Sequence, residues 1–177
     1  MSTASGSSLW LTPEPGSEPY RVLAFVIQEI ANLLGTPPFV PHVTLCGGLG
    51  DPTSEHMLLL KAFTKEARPI DIVLGKIDSN NQYFQALFST VQKDRNITTL
   101  NEDACRYFKV PPAHFFPHLS LAYGDLTPNQ HTLVQSVFKN ELRTVSDLRF
   151  RATNITLWRT NGRVPEWKTW CSYPFLK

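Results

Sequence analysis

The chain has 177 residues, of which 42% are hydrophobic and 18% are charged, and its formal net charge is +2. This length suits one globular domain or two closely packed lobes, and so balanced a charge is not typical of a nucleic-acid or membrane binder. No apolar run reaches the roughly 18 residues of a membrane helix, and no secretory signal opens the chain. The three cysteines are widely spaced, which argues against a zinc knuckle and a disulfide framework. These features predict a cytoplasmic protein with no membrane span, with organelle association left open.

The patterning of apolar residues predicts strands and helices in alternation. A disordered tail is expected over residues 1–7, followed by a single domain over residues 8–177. The predicted strands span residues 8–13, 41–45, 70–77, 83–91, 117–121, 147–160 and 167–173. The predicted helices span about residues 17–34, 52–67, 96–108 and 128–139, with caps at Ser17, Asp51, Asn96 and Thr127. Turns are expected at residues 78–81 and at Asn161-Gly162.

These predicted elements form an internal repeat. A strand, a helix, a Pro-His-containing strand, a turn, a helix and a strand occupy residues 8–77, and the same order recurs over residues 83–160. The period is about 76 residues, the distance along the chain from His42 to His118. Two such halves sharing one interface predict a pseudo-two-fold α+β domain.

Two of the five histidines lie in matched pentapeptides, Pro41–Leu45 and Pro117–Leu121. Residues i and i+2 of a strand share a face, so His42 and Thr44 point one way while the apolar residues between them enter a core. The second motif places its histidine and its serine in the same manner. If a two-fold relates the halves, both faces line one groove that holds two imidazoles and two hydroxyls.

Such a set of side chains suits in-line displacement at phosphorus. One histidine can take a proton from the attacking oxygen while the other gives one to the leaving oxygen. The hydroxyls of Thr44 and Ser120 would donate hydrogen bonds to the non-bridging oxygens as charge develops there. Carboxylates that could hold magnesium are absent near either motif, so neither a metal nor another cofactor is expected.

The other histidines have more ordinary interpretations. His56 and His131 fall within predicted helices and are interpreted as structural, and His114 is interpreted as a bystander in the loop before the second motif. A zinc site formed by His114 with the two motif histidines is the less favoured alternative, because the spacing of that third ligand is arbitrary.

The paired motifs resemble the two HxTx/HxSx signatures of the two-histidine (2H) phosphoesterase superfamily. The segments Ser8–Pro13, Tyr83–Gln85 and Leu121–Asp125 make the chain similar to the plant and fungal cyclic phosphodiesterase branch of that superfamily. The resemblance implies a bilobal α+β fold, in which two pseudo-two-fold related antiparallel sheets are flanked by helices and the active-site groove lies between them. It also implies hydrolysis of ADP-ribose 1″,2″-cyclic phosphate to ADP-ribose 1″-phosphate and of nucleoside 2′,3′-cyclic phosphates to 2′-phosphates. Such compounds arise during tRNA splicing.

Roles for individual residues follow from the same resemblance. It implies that His42 is the general acid on the departing 3′ oxygen and that His118 is the base that activates water. It further implies that Tyr123 closes the phosphate site, for which the alternative is a core tyrosine. Trp10 is expected either to stack on a base or ring of the substrate, because an aromatic face accepts any nucleobase, or to be a core tryptophan.

Two other functions remain open from the sequence. One is an RNA-end-processing 2H phosphoesterase, either an exonuclease or a 2′-5′ ligase-like enzyme. The other is a non-catalytic module that binds nucleotides or RNA. The modest net charge favours a small-molecule cyclic phosphate as the partner, with no stable nucleic-acid partner, and we expect a monomer.

Overall fold

A computed structural model describes residues 4–80, 82–111 and 114–177. In this part of the chain the strands are β1 (Ser7–Leu11), β2 (Val43–Cys46), β3 (Ile70–Asp78), β4 (Leu87–Val91), β5 (His118–Ala122), β6 (Arg149–Ala152), β7 (Asn154–Arg159) and β8 (Lys168–Pro174). The helices are α1 (Glu18–Leu34), α2 (Ser54–Glu66), α3 (Arg95–Tyr107), α4 (Pro128–Val137) and α5 (Lys139–Ser146). None of these helices is long and apolar enough to cross a membrane.

The strands form one antiparallel sheet in the order β6-β3-β4-β5-β2-β1-β7-β8. At its centre the two motif strands, β2 and β5, meet through the pair Val43 and Leu119. Four strands lie on either side of that junction, which confirms the predicted α+β fold with two related lobes. The two expected sheets are thus the halves of one continuous sheet.

The lobes differ in one respect from the two halves of the sequence repeat. The last strand of the first half, β3, pairs with β4 of the second half, and β7 of the second half pairs with β1 of the first. Helices cross over in the same way: α1 packs near β5, and α3 packs near β2. Each lobe is therefore built from both halves of the chain, which ties the two lobes together.

Local capping explains where the helices begin and end. Ser17 caps α1 by accepting a hydrogen bond from the Tyr20 backbone N–H, and Gly35 ends the helix with φ of 65°, as predicted. The caps of α2 and α3 are Thr53 and Asp94 rather than the predicted Asp51 and Asn96. The cap at Thr127 is confirmed. The fourth predicted helix stops at Val137, and α5 follows it as an unpredicted helix.

Three further segments differ from the prediction. The single strand expected over residues 147–160 is two strands, β6 and β7, which pair with β3 and β1 in different lobes. Tyr83–Gln85 is a 3₁₀ turn rather than the start of a strand, and β4 begins only at Leu87. Within the segment expected to be a tail, Ala4 pairs with Gly162 and β1 already begins at Ser7. Residues 1–3 of that tail, and Asn81 of the predicted turn over residues 78–81, lie outside the described residues.

The motif strands alternate between core and cavity as their spacing predicts. Val43, Leu45, Leu119 and Leu121 are buried in the hydrophobic core beneath the helices. Residues of the opposite parity on the same strands face away from that core. The histidines and hydroxyls of both motifs consequently share the other face of the sheet at its centre.

Candidate active site

A cavity of about 520 Å³ lies where β2 and β5 meet. Its walls include every residue that the sequence singles out for the site: Trp10, His42, Thr44, His118, Ser120 and Tyr123. A larger surface cleft of about 910 Å³ lies beside α2 and α3, and its walls carry no histidine. The smaller cavity is therefore the candidate active site.

The two histidines of this cavity are held in the same way. Nδ1 of His42 lies 2.6 Å from the Val40 carbonyl oxygen, and Nδ1 of His118 lies 2.9 Å from that of Phe116. A carbonyl oxygen only accepts hydrogen bonds, so each Nδ1 carries the proton and each Nε2 is left with a lone pair. The proline before each histidine restricts the residue that supplies the carbonyl to extended conformations, which helps to explain why both motifs make this contact.

Burial differs between the two histidines, and with it their proton affinity. His42 is 5% exposed, and removal from water lowers its pKa to about 4, with the nearby His118 adding to the shift. The His118 side chain is only partly buried, and desolvation lowers its pKa as well. Both imidazoles are therefore neutral at pH 7 in the free protein, and a bound anion would favour protonation of either one.

Three hydroxyl groups lie on the cavity wall with the histidines. The Tyr123 hydroxyl lies 3.5 Å from Nε2 of His42, and burial raises the pKa of this tyrosine, so it stays a neutral donor. Ser120 is buried and donates to the Phe84 carbonyl oxygen at 3.0 Å. Thr44 is less buried and lines the cavity on the opposite motif strand.

Trp10 does not present a free face to the cavity. Its indole stacks on His42 with ring centroids 3.5 Å apart and 6° between the planes. On the other side Trp158 stacks at 4.3 Å. With both faces covered and only 2% of its surface exposed, Trp10 cannot stack on a base in this arrangement. Of the two roles that the sequence leaves open, the geometry favours the buried one.

Other aromatic and polar side chains of the cavity are not singled out in the sequence as site residues. Trp167 precedes β8, and Tyr83 and Phe84 lie in the 3₁₀ turn before β4; all three are half-buried in the cavity wall. Gln85 lies beside them. The aromatic run at Tyr83–Phe84 is visible in the sequence, but nothing local shows that Trp167 reaches the same cavity.

The remaining histidines lie outside this cavity. His56 caps α2, where its Nδ1 accepts a hydrogen bond from the Thr53 backbone N–H, and His131 lies in α4. His114 lines a neighbouring cavity of about 230 Å³ that His118 also borders. Within the three described stretches of chain, no three His, Cys, Asp or Glu side chains converge in a way that could hold a metal ion.

Comparison with known proteins assigns this arrangement to a class. The fold matches E. coli LigT in its unliganded form, with a TM-score of 0.58 at 12% identity and 98% of both chains covered. It also matches TT0787 of Thermus thermophilus, with a TM-score of 0.59 at 14% identity, over 96% of this chain and 97% of that one. The two His-x-Thr/Ser motifs are thus brought to one cavity on a LigT-like fold.

Sequence comparison narrows the class to a family. Residues 5–173 match the family described as "Cyclic phosphodiesterase-like protein", and the chain belongs to this family of hydrolases. It is 29% identical over 157 residues to the 2′,3′-cyclic-nucleotide 3′-phosphodiesterase of Kluyveromyces lactis, covering 75% of this chain and 70% of that protein. It is 22% identical over 165 residues to the cyclic phosphodiesterase of Arabidopsis thaliana, covering 92% of this chain and 90% of the other. The predicted resemblance is thereby confirmed.

Proposed function

We propose that this cyclic phosphodiesterase hydrolyses nucleoside 2′,3′-cyclic phosphates to nucleoside 2′-phosphates without a metal ion. The observation that carries the proposal is the matched pair of histidines, each anchored through Nδ1 to a backbone carbonyl two residues earlier, on the wall of one cavity. The names of the Kluyveromyces and Arabidopsis relatives support the reaction class. LigT, which shares the fold, has been crystallised with phosphate and with 3′-AMP.

The reaction needs one proton to leave water and another to reach the departing oxygen. In the proposed mechanism Nε2 of His118 takes a proton from water as its oxygen attacks phosphorus on the side opposite the 3′ oxygen. The bond from phosphorus to the 3′ oxygen breaks, and protonated His42 gives its proton to that oxygen. The product is the 2′-phosphate with a free 3′ hydroxyl. The two histidines exchange protonation states in one turnover, and proton exchange with solvent resets them.

The hydroxyl groups would stabilise the charge that builds on the phosphoryl oxygens. Thr44 and Ser120 lie two residues beyond the histidines on the same faces, so each can donate to a non-bridging oxygen. Ser120 must first turn its hydrogen away from the Phe84 carbonyl. Tyr123, kept neutral by burial, would close the phosphate site from above His42.

We extend the proposal to ADP-ribose 1″,2″-cyclic phosphate, which has the same five-membered cyclic phosphodiester and would yield ADP-ribose 1″-phosphate. A place downstream of tRNA splicing, which generates such compounds, is consistent with this chemistry. We propose that the protein is a monomer and that it is located in the cytoplasm. Three free thiols suit such a reducing compartment. A small molecule remains the proposed partner, without a stable nucleic acid.

One observation favours a second candidate, the processing of RNA ends. The neighbouring cavity of about 230 Å³ shares Thr44, Gln85 and His118 with the active-site cavity, so the two cavities adjoin each other beside His118. A chain longer than one nucleotide could follow this path. Comparing turnover of a cyclic mononucleotide with that of an oligonucleotide ending in a 2′,3′-cyclic phosphate separates the two candidates.

The test of the main proposal is turnover of a nucleoside 2′,3′-cyclic phosphate in excess chelator, with the 2′- and 3′-phosphate products resolved. We expect the 2′-phosphate alone. His42→Gln and His118→Gln should each lower kcat by about 10²–10⁴-fold while retaining substrate binding, because each removes one proton transfer. His56→Gln, which changes a histidine of α2 outside both cavities, is the matched control. Binding without turnover by the unaltered protein would instead indicate a nucleotide-binding module.

A further inference from the structure

The row of stacked rings beside His42 follows from the register of three strands. Trp10 on β1 lies opposite Thr44 on β2 and opposite Thr156 on β7. His42 is two residues before Thr44, and Trp158 is two residues after Thr156, so both share the face of Trp10 as its diagonal neighbours. Pairing therefore brings the three rings side by side on the cavity face.

Trp10 is fixed more firmly than a ring that only packs. Its Nε1 donates to the Ser8 hydroxyl at 2.7 Å, which sets the rotation of the indole. Trp158 covers one face, and the imidazole of His42 lies almost parallel on the other. The hydrogen bond from Nδ1 to the Val40 carbonyl restricts rotation of the imidazole in its own plane, and Trp10 on one ring face restricts its tilt out of that plane.

The other lobe carries a looser version of the same arrangement. Phe88 on β4 lies opposite Ser120, as Trp10 lies opposite Thr44, so the two aromatic residues occupy equivalent positions. The Phe88 ring contacts His118 edge-on, with centroids 5.3 Å apart and 63° between the planes. Phe116 also stacks on His118, with centroids 5.4 Å apart and 26° between the planes, which is a looser contact than the 3.5 Å and 6° of Trp10 on His42.

We propose that Trp10, held by Ser8 and Trp158, is a positioning residue that fixes the His42 imidazole for proton transfer and shields it from water. This inference rests on the catalytic role given to His42 in the proposed function. A leucine at position 10 would leave the imidazole free to tilt and would admit water. Displacement of a catalytic group by about 1 Å can cost about 10²-fold in rate.

Shielding also explains the direction of the His42 titration. The titratable groups that face this imidazole are His118 and Tyr123, and burial rather than charge is the largest cause of its lowered pKa. The indole covers one face of the imidazole and so contributes to that burial. Removing it should move the pKa of His42 from about 4 back towards the 6.5 of a solvated imidazole.

The test combines kinetics with NMR titration of the histidine side chains in the full chain. For Trp10→Leu we expect kcat to fall about 10²-fold with KM changed less than about threefold, and the pKa of His42 to rise by about one unit or more. Trp10→Phe keeps a flat ring and should restore most of both. Trp170→Leu, which removes an exposed tryptophan of β8, should change neither quantity.

Two further variants, Phe88→Leu and His42→Gln, show which outcomes of this test would contradict the inference. Phe88→Leu should shift the titration of His118 and leave that of His42 in place, since its ring contacts only the former histidine. A Trp10→Leu protein that is folded, with unchanged His42 titration and unchanged kcat, would overturn the inference. If instead His42→Gln turns over normally while Trp10→Leu still shifts the titration of His42, the proposed catalytic role fails, and with it the positioning for proton transfer, whereas the shielding of His42 from water stands.

Discussion

Burial of a neutral His42 predicts a specific loss of stability in mild acid. The unfolded chain carries this histidine with a pKa near 6.5, whereas in the folded protein it is about 4. The unfolded state therefore binds more protons between these two values, so stability is fully present above pH 6.5 and is lost as the pH falls towards 4. For this one group the free energy of unfolding should drop by about 2 kcal/mol between pH 7 and pH 5.

The assay is urea unfolding at several pH values across that interval, followed by far-ultraviolet circular dichroism. With an m-value of about 2 kcal/mol per M, the loss corresponds to a midpoint lower by about 1 M at pH 5 than at pH 7. His42→Gln should abolish this part of the pH dependence, whatever its effect on stability at pH 7. His114→Gln should keep it, because that side chain is exposed. An unchanged slope in the His42 variant would refute the reasoning, since no buried imidazole would then resist protonation.

Three further predictions concern rate and helix capping. Both site histidines have lowered pKa values in the free protein, so kcat/KM should peak below neutral pH and should decline as the pH rises through the higher of these two pKa values. A profile that does not change with pH would contradict an acid–base pair. Thr44→Val should lower kcat by about 10²-fold and Thr44→Ser should restore it if the hydroxyl donates to the phosphoryl group; equal kcat in both variants would remove that role. Asp94→Ala should destabilise the protein by about 1 kcal/mol in thermal unfolding, and Asn96→Ala should cost clearly less, because Asp94 caps α3.

The placement of the two histidines and two hydroxyls in one cavity could be predicted because the geometry of each motif is local. A strand of period two fixes where His42 points relative to Thr44, and the same holds for His118 and Ser120. The Nδ1 contacts are local as well, since each joins a histidine to the carbonyl two residues before it. Repetition of the motif then implied that two such faces meet, and the structure brings them together in one cavity.

The aromatic surroundings of the site could not be predicted in the same way. Trp10 and Trp158 are neighbours only because β1 pairs with β7, and no local pattern says which strand joins which lobe. The exchange of β3 and β7 between the halves was missed for that reason. Tyr83–Gln85 has the aromatic composition of a strand, but it forms a 3₁₀ turn in which the Gln85 N–H donates to the Gln82 carbonyl oxygen. The sequence therefore left a stacking platform and a core tryptophan both open for Trp10, and strand pairing places its ring between His42 and Trp158.

Cap positions failed for a different physical reason. Asp94 and Asn96 are both good N-caps and are separated only by Arg95, so propensity alone does not choose between them. In the structure the Asp94 carboxylate accepts a hydrogen bond from the Ile97 backbone N–H at 3.0 Å, so α3 begins at Arg95 and Asn96 lies inside its first turn.

The unequal burial of the two histidines bears on which of them is the general acid of the proposed mechanism. In the free protein His118 is the less buried imidazole and is expected to take up a proton more readily than His42. If His42 is the acid, as the family resemblance implies, the bound phosphodiester must draw the proton to it. A substrate with a better leaving group tests this: catechol cyclic phosphate releases a phenoxide and depends less on an acid. The variant lacking the acid should recover on this substrate relative to the nucleotide, and the variant lacking the base should not. Recovery of His118→Gln instead of His42→Gln would exchange the two roles.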